Sequence, residues 1–299
     1  MFGLTQMVFG GGLFLDISQE EYTEAVEAKR CLVEALEVEE KFDLLLTNYE
    51  EFEHELLVIA LDAALRFDND WSASVGTRQT VSRRLVNTLT ACRLYLDQVG
   101  HNLSSIYGSS SRAHEQMKSK CSAEYDGRLG YRVMEALRNY VQHRGMPVHG
   151  LSLTGTWIDE TPQVRKHLQQ SVVPELSTER LAEDSRMKPS VLAELQSIGS
   201  EHDIKPLLRD YIAGLGSIHT SLRKTLESDL TRWDAIVETL IERYRAAGGV
   251  TLGLALVNRV GRIAVQHEFL IDGFILRRRE LADRNHQTSH YPKVVVTNY

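Results

Sequence analysis

The chain is expected to fold as a mainly α protein: an antiparallel helical bundle, then a helical C-terminal half with a small β element after residue 150. Three observations lead there. Apolar residues recur at steps of three and four over long stretches, which marks one buried face of a helix. Glycine and proline are few, 20 and 6 in 299 residues, too few for extended linkers. One short region, Leu151 to Trp157, alternates with a period of two instead, as a half-buried strand does.

In chain order, Met1 to Ile17 is apolar but lacks a basic leader and is broken by Gly10-Gly11-Gly12. It therefore reads as neither signal peptide nor membrane span. Ser18-Gln19-Glu20-Glu21 has the form of a capping box, with acids placed where the helix dipole favours them. A long helix follows, with Phe42, Leu45, Tyr49, Phe52, Leu56, Ala60, Ala63 and Phe67 on one stripe, until Asp68-Asn69-Asp70 breaks it. A second helix is marked by Val81, Leu85, Leu89, Cys92, Leu96, Val99 and Leu103 and ends near Gly108. A third runs from Ser111 and is clearest from Gly130 to His143, with Gly145 and Pro147 as stop signals. Three such helices joined by short polar breaks make an antiparallel bundle.

Beyond the strand at Leu151, Gln169 to Leu176 is a second strand candidate, which Pro174 should confine to a sheet edge. Helix resumes near Pro189. Leu222, Leu226, Leu230, Trp233, Val237, Leu240 and Tyr244 then keep near-heptad spacing up to Gly248-Gly249, as a core helix or an association seam would. A last helix is expected from Leu252 to Leu281, interrupted by Gly253, Gly261 and Gly273. Arg277-Arg278-Arg279 reads as a solvated face or cap, and Lys293 to Tyr299 as a terminal strand. The expected organisation is a bundle over residues 1–150 and an accessory, regulatory or dimerisation region over 151–299.

Composition narrows the function classes. Cys31, Cys92 and Cys121 lie far apart, which excludes a disulfide framework and a CxxC site and leaves buried thiols in a reducing, cytoplasmic compartment. The net charge of −7 is unevenly spread. Residues 1–70 carry 4 basic and 17 acidic side chains, residues 71–150 carry 11 and 5, and residues 151–299 carry 19 of each. One segment is thus positive, and local charge is what a phosphate meets, since salt screens over about 8–10 Å.

That positive segment ends in Arg138-Asn139-Tyr140-Val141-Gln142-His143-Arg144-Gly145-Met146-Pro147-Val148-His149, the densest run of polar chemistry in the chain. Arg138 and His143 stand about 140° apart on a regular helix. They converge only if the helix ends or a second chain contributes. Together they offer what RNA cleavage without metal requires: an imidazole to take the proton of a ribose 2′-OH, and a guanidinium to clamp the phosphate and stabilise its developing charge. Asn139 can orient either group. The products would be a 2′,3′-cyclic phosphate and a free 5′-OH. His149 is read as the start of the following strand.

Arg138-Asn139 followed by His143, near the end of a helix in an all-helical setting, resembles the motif of the HEPN (higher eukaryotes and prokaryotes nucleotide-binding) superfamily. The resemblance covers residues 18–150. It implies a metal-independent endoribonuclease with no cofactor, with Arg138 and His143 as the catalytic pair and Asn139 in support. It also implies RNA as substrate, a homodimer with a composite active site, and a role as a toxin or phage-defence effector held by an antitoxin or regulatory protein. The rival reading is a non-catalytic helical interaction protein, with the seam from Leu222 to Tyr244 as its working surface.

Other constellations carry less. His286 and His290 have metal-pair spacing but no nearby carboxylate, and Gly10-Gly11-Gly12 lacks the lysine of a phosphate loop. No G-x-S-x-G or H-E-x-x-H occurs.

Overall fold

A computed structural model describes residues 1–7, 12–66, 71–158, 167–261 and 263–286. In chain order these form β1 (Phe2–Gln6), β2 (Phe14–Asp16), α1 (Gln19–Arg66), α2 (Trp71–Tyr107), α3 (Arg112–Gly127) and α4 (Leu129–His143). There follow β3 (Gly150–Ile158), β4 (His167–Ser177), α5 (Thr178–Ala182), α6 (Pro189–Ile198), β5 (Glu201–Asp203), α7 (Ile204–Ala246), β6 (Leu254–Val260), β7 (Ile263–Phe269) and α8 (Gly273–Arg284). The protein is mainly helical with short antiparallel sheets. Among the described residues no helix is long and apolar enough to cross a membrane.

The chain forms two compact units, and each long helix contributes to both. The first comprises Met1–Lys41, Asp97–Met117 and Thr220–His286. Within it, α1 starts on the expected capping box: the Glu21 N–H donates to Ser18 Oγ at 3.0 Å and the Ser18 N–H to Glu21 Oε2 at 2.8 Å. Its α1 and α7 segments run antiparallel, as Arg243 pairs with Glu21 and Arg223 with Glu39. The apolar stripe of α7, from Leu222 to Tyr244, is buried inside this unit together with Leu32, Val99 and Leu103. That removes it as a working surface. A four-stranded antiparallel sheet in the order β2-β1-β6-β7 completes the unit.

The second unit is built from Phe42–Leu96 and Lys118–His219. Phe42, Leu45, Tyr49, Phe52 and Leu56 of α1 bury the expected stripe here, with Val81, Leu85, Leu89 and Cys92 of α2. The two helices run antiparallel, shown by Asn48 beside Thr88 and by Arg84 between Glu51 and Glu55. Acidic and basic segments thus pair in part, as the uneven charge allows. At the core, Phe42 stacks on His219 with centroids 3.8 Å apart, and the Tyr95 hydroxyl lies 3.0 Å from His219 Nδ1. A three-stranded antiparallel sheet in the order β3-β4-β5 follows α4.

Several expectations need correction. The N-terminal stretch is two strands, β1 and β2, too short and without the alternating burial that would have marked them. The segment from Leu252 to Leu281 is not one helix but a β-hairpin and then α8. Gly253 and Gly261 do not interrupt a helix: their φ values of +72° and +61° make the bends at the strand ends. The stretch from Ser111 to His143 is two helices, parted at Arg128, where φ is −128° and ψ 120°. Pro174 sits in the central strand β4, but β5 pairs only with Glu175–Ser177. At Pro174 the sheet is therefore one-sided, which suits a residue without an N–H. Arg278 is not solvated: it is buried against Asp234 at 2.5 Å, and Arg279 reaches the same carboxylate at 2.9 Å. The expected strand at Lys293 to Tyr299, the break at Asp68 to Asp70 and residues Gly10 and Gly11 lie outside the described residues.

Cys31 and Cys92 are buried and Cys121 half-buried. Burial pushes the Cys31 thiol up to about 12 and Cys121 to about 11, and raises Cys92 likewise. None is poised as a nucleophile.

Candidate functional site

The motif lies on α4, which is strongly amphipathic. Tyr131, Val133, Met134, Leu137 and Tyr140 are buried, so the register of the helix in its unit is fixed and the other face must look outward. Its start is anchored on α7. The Gly130 N–H donates to Asp210 Oδ2 at 3.1 Å, and Arg128 Nη1 to Asp210 Oδ1 at 2.7 Å. Gly130 is required there, because a Cβ would come within 2.3 Å of the Leu207 carbonyl oxygen.

At its other end α4 continues regularly through His143 and stops at Arg144, whose N–H donates to the Tyr140 carbonyl at 2.8 Å. Gly145 follows without a positive φ, so the helix ends without the left-handed glycine cap that the sequence suggested. The open carbonyl of His143 accepts instead from Arg186 Nη2 at 3.2 Å. Arg186 is held by Asp184, whose carboxyl the Arg186 N–H and guanidinium keep below the usual range. This cap was not legible in the motif, because its donor lies 43 residues downstream.

Asn139 and His143 are exposed, one turn apart, and Arg138 is half-buried on the flank. Arg138 Nη1 donates to Asn139 Oδ1 at 3.2 Å, so the amide stands between guanidinium and imidazole. Because α4 is regular, Arg138 and His143 remain about 140° apart within one chain. Arg138 also differs from its neighbours. Arg128, Arg132 and Arg144 each hold a carboxylate, Asp210 and Glu124, Glu194, and Glu183 respectively. Among the described residues Arg138 has no ion pair, and its remaining donors suit a phosphate.

His149 is a different kind of histidine. It is 8% exposed, beside β3, with its ring edge-to-face against Tyr140 at 5.6 Å. Its Nδ1 accepts the Ser177 N–H at 2.9 Å, which places the neutral ring's proton on Nε2. Burial, helped by the charges of Arg180 and Arg78, pulls its pKa down to about 4. It is a neutral structural group and offers no proton shuttle near pH 7.

Elsewhere a groove of about 360 Å³ lies between α1 and α7 of the first unit, lined by Glu21, Ile236, Leu240 and Arg243 among others. Glu21 and Arg243 pair across it, and no histidine, cysteine or serine lines it. Among the described residues no group of three or more histidine, cysteine or acidic side chains is placed to hold a metal. His286 turns its Nδ1 to the Asp283 carbonyl at 2.6 Å, and His290 lies outside the described residues. Comparison of the chain with family models, with curated proteins and with solved structures gives no match.

Proposed function

We propose that the protein is an endoribonuclease that works without metal, with Arg138, Asn139 and His143 as its site. The observation that carries this reading is the exposed pair Asn139 and His143, with Arg138 bound to the Asn139 amide and, among the described residues, to no carboxylate. On this reading the His143 imidazole takes the proton of a ribose 2′-OH as that oxygen attacks phosphorus. The 5′-oxygen leaves and is protonated, giving a 2′,3′-cyclic phosphate and a 5′-hydroxyl. The guanidinium of Arg138 stabilises the charge on the non-bridging oxygens.

Regular helix geometry keeps the two groups apart within one chain, so a homodimer supplies Arg138 from one copy and His143 from the other. RNA is the partner, and toxin or phage-defence action under a regulatory protein is the setting the motif suggests. The test is cleavage of labelled RNA in EDTA by wild type, Arg138→Ala and His143→Ala. A drop in rate of about 10²-fold or more is expected in each variant. Cleavage that is absent, or equal in all three proteins, would refute the proposal. The cyclic-phosphate end is checked by its resistance to phosphatase until acid opens it to a phosphomonoester.

A further inference from the structure

The end of α4 gathers more positive charge than the nuclease reading uses. Arg78 of α2, Arg144 at the end of α4, Arg180 of α5 and Arg186 of the following connection all lie around Tyr140, His143 and His149. Carboxylates hold two of them: Glu183 pairs with Arg144 at 3.3 Å and Asp184 with Arg186 at 3.2 Å. Among the described residues Arg78 and Arg180 have no ion pair. Arg78 is half-buried and spends one donor on the His149 carbonyl at 3.1 Å. Arg180 is exposed, and its charge bears on both Tyr140 and His149, whose rings meet edge-to-face. A further donor goes unused here, since His149 Nε2, which carries the proton of the neutral ring, is buried without a hydrogen-bond partner. It stays inside, so the two guanidinium groups are what a ligand meets. Donors thus exceed acceptors, and guanidinium groups left without carboxylates suit an oxyanion.

Position relative to the motif selects the oxyanion. At 100° per residue, Tyr140, His143 and Asn139 follow one another around α4 at steps of about 60° and 40°. The cluster beside Tyr140 therefore flanks His143 on one side, while Asn139 and then Arg138 lie on the other. Arg186 ties the cluster to the motif, because its Nη2 donates to the His143 carbonyl at 3.2 Å. We propose that Arg180 and Arg78 form a second phosphate subsite, which binds a backbone phosphate of an RNA strand beside His143. The identity of the ligand rests on the nuclease reading. A strand with its scissile phosphate at His143 carries a neighbouring phosphate over this subsite. Contacts of this kind fix the register of a strand and add affinity without reading its bases, so the subsite positions RNA and takes no part in bond cleavage.

The test uses the full chain in EDTA with a short labelled 2′-fluoro RNA, which has no 2′-OH and cannot be cut. Arg180→Gln should weaken its binding about tenfold. It should also lessen the slope of log affinity against log salt by about 0.7, the share of one phosphate on a single strand. The thermal unfolding midpoint should not move, since Arg180 is exposed. Arg180→Lys should restore the slope, and Arg245→Gln, which removes an exposed arginine of the first unit, should change neither quantity. On cleavable RNA, Arg180→Gln should raise KM and spare kcat, where Arg138→Ala lowers kcat. No binding of the 2′-fluoro RNA, an unchanged salt slope in Arg180→Gln, or an equal loss in Arg245→Gln would each overturn the proposal. Inorganic phosphate that raises the melting temperature through Arg180, with no binding of the RNA, would overturn it in favour of a free-anion site. Binding that depends on Arg180 in a protein that cleaves no RNA leaves the subsite standing and refutes the nuclease. Cleavage that is indifferent to Arg180, in both KM and salt slope, does the reverse.

Discussion

Acid should unfold this protein partly through His149. The unfolded chain takes up the proton near 6.5, while the folded chain resists it until about 4, because burial and the charges of Arg180 and Arg78 oppose an imidazolium. Only the folded state excludes the proton in that window, so this contribution to stability is complete above pH 6.5 and declines as pH falls towards 4. At about 1.4 kcal/mol for each tenfold in proton affinity, the full loss is roughly 3 kcal/mol. The Ser177 N–H donating to Nδ1 gives the means of isolating it. His149→Asn can present its Oδ1 to that N–H but cannot titrate. Urea unfolding of both proteins between pH 7 and pH 4.5 should show wild type the more stable at neutral pH, with the difference shrinking by about 2 kcal/mol at the acid end. Carboxylates titrate in both proteins and cancel. A difference that holds constant with pH would refute the placement of His149 as a neutral, buried group.

Two further substitutions test the scaffold. Asp234→Ala strands the buried guanidinium of Arg278, and should cost about 3–5 kcal/mol in chemical denaturation. Replacing Asp234 and Arg278 together with leucine and methionine should recover most of that loss. Gly130→Ala drives a Cβ towards the Leu207 carbonyl and should destabilise by about 1–3 kcal/mol, read as a lower melting temperature. A Gly130→Ala protein of wild-type stability would show that the approach of α4 to α7 is looser than described.

What the sequence made legible, and what it hid, divide along physical lines. The start of α1 was readable because a capping box is local: Ser18 and Glu21 satisfy each other three residues apart. The α1 and α7 stripes were readable because burial follows helical period. The sheet of the first unit was not, because β1 pairs with β6 across some 250 residues and short apolar runs fit strand and helix alike. Glycines misled in the same way: at Gly253 and Gly261 they serve turns, and periodicity cannot separate a turn from a weak point in a helix. At the site, the residue types of Arg138, Asn139 and His143 stood out in the sequence, and so did their angular separation. Among the described residues, the carboxylates that occupy Arg128, Arg132 and Arg144 but not Arg138 come from distant segments, so the distinction between these arginines appears only in the fold.

The anchors of α4 bear on how the chain can be cut. Asp210 holds its first turn and Arg186 its last carbonyl, while β4 supplies the N–H that fixes His149 beside it. A fragment ending at residue 150 would retain every residue of the motif and lose all three supports. The unit of transplantation for the motif is therefore not the helix that displays it, nor the helices before it, but a span reaching at least to Asp210.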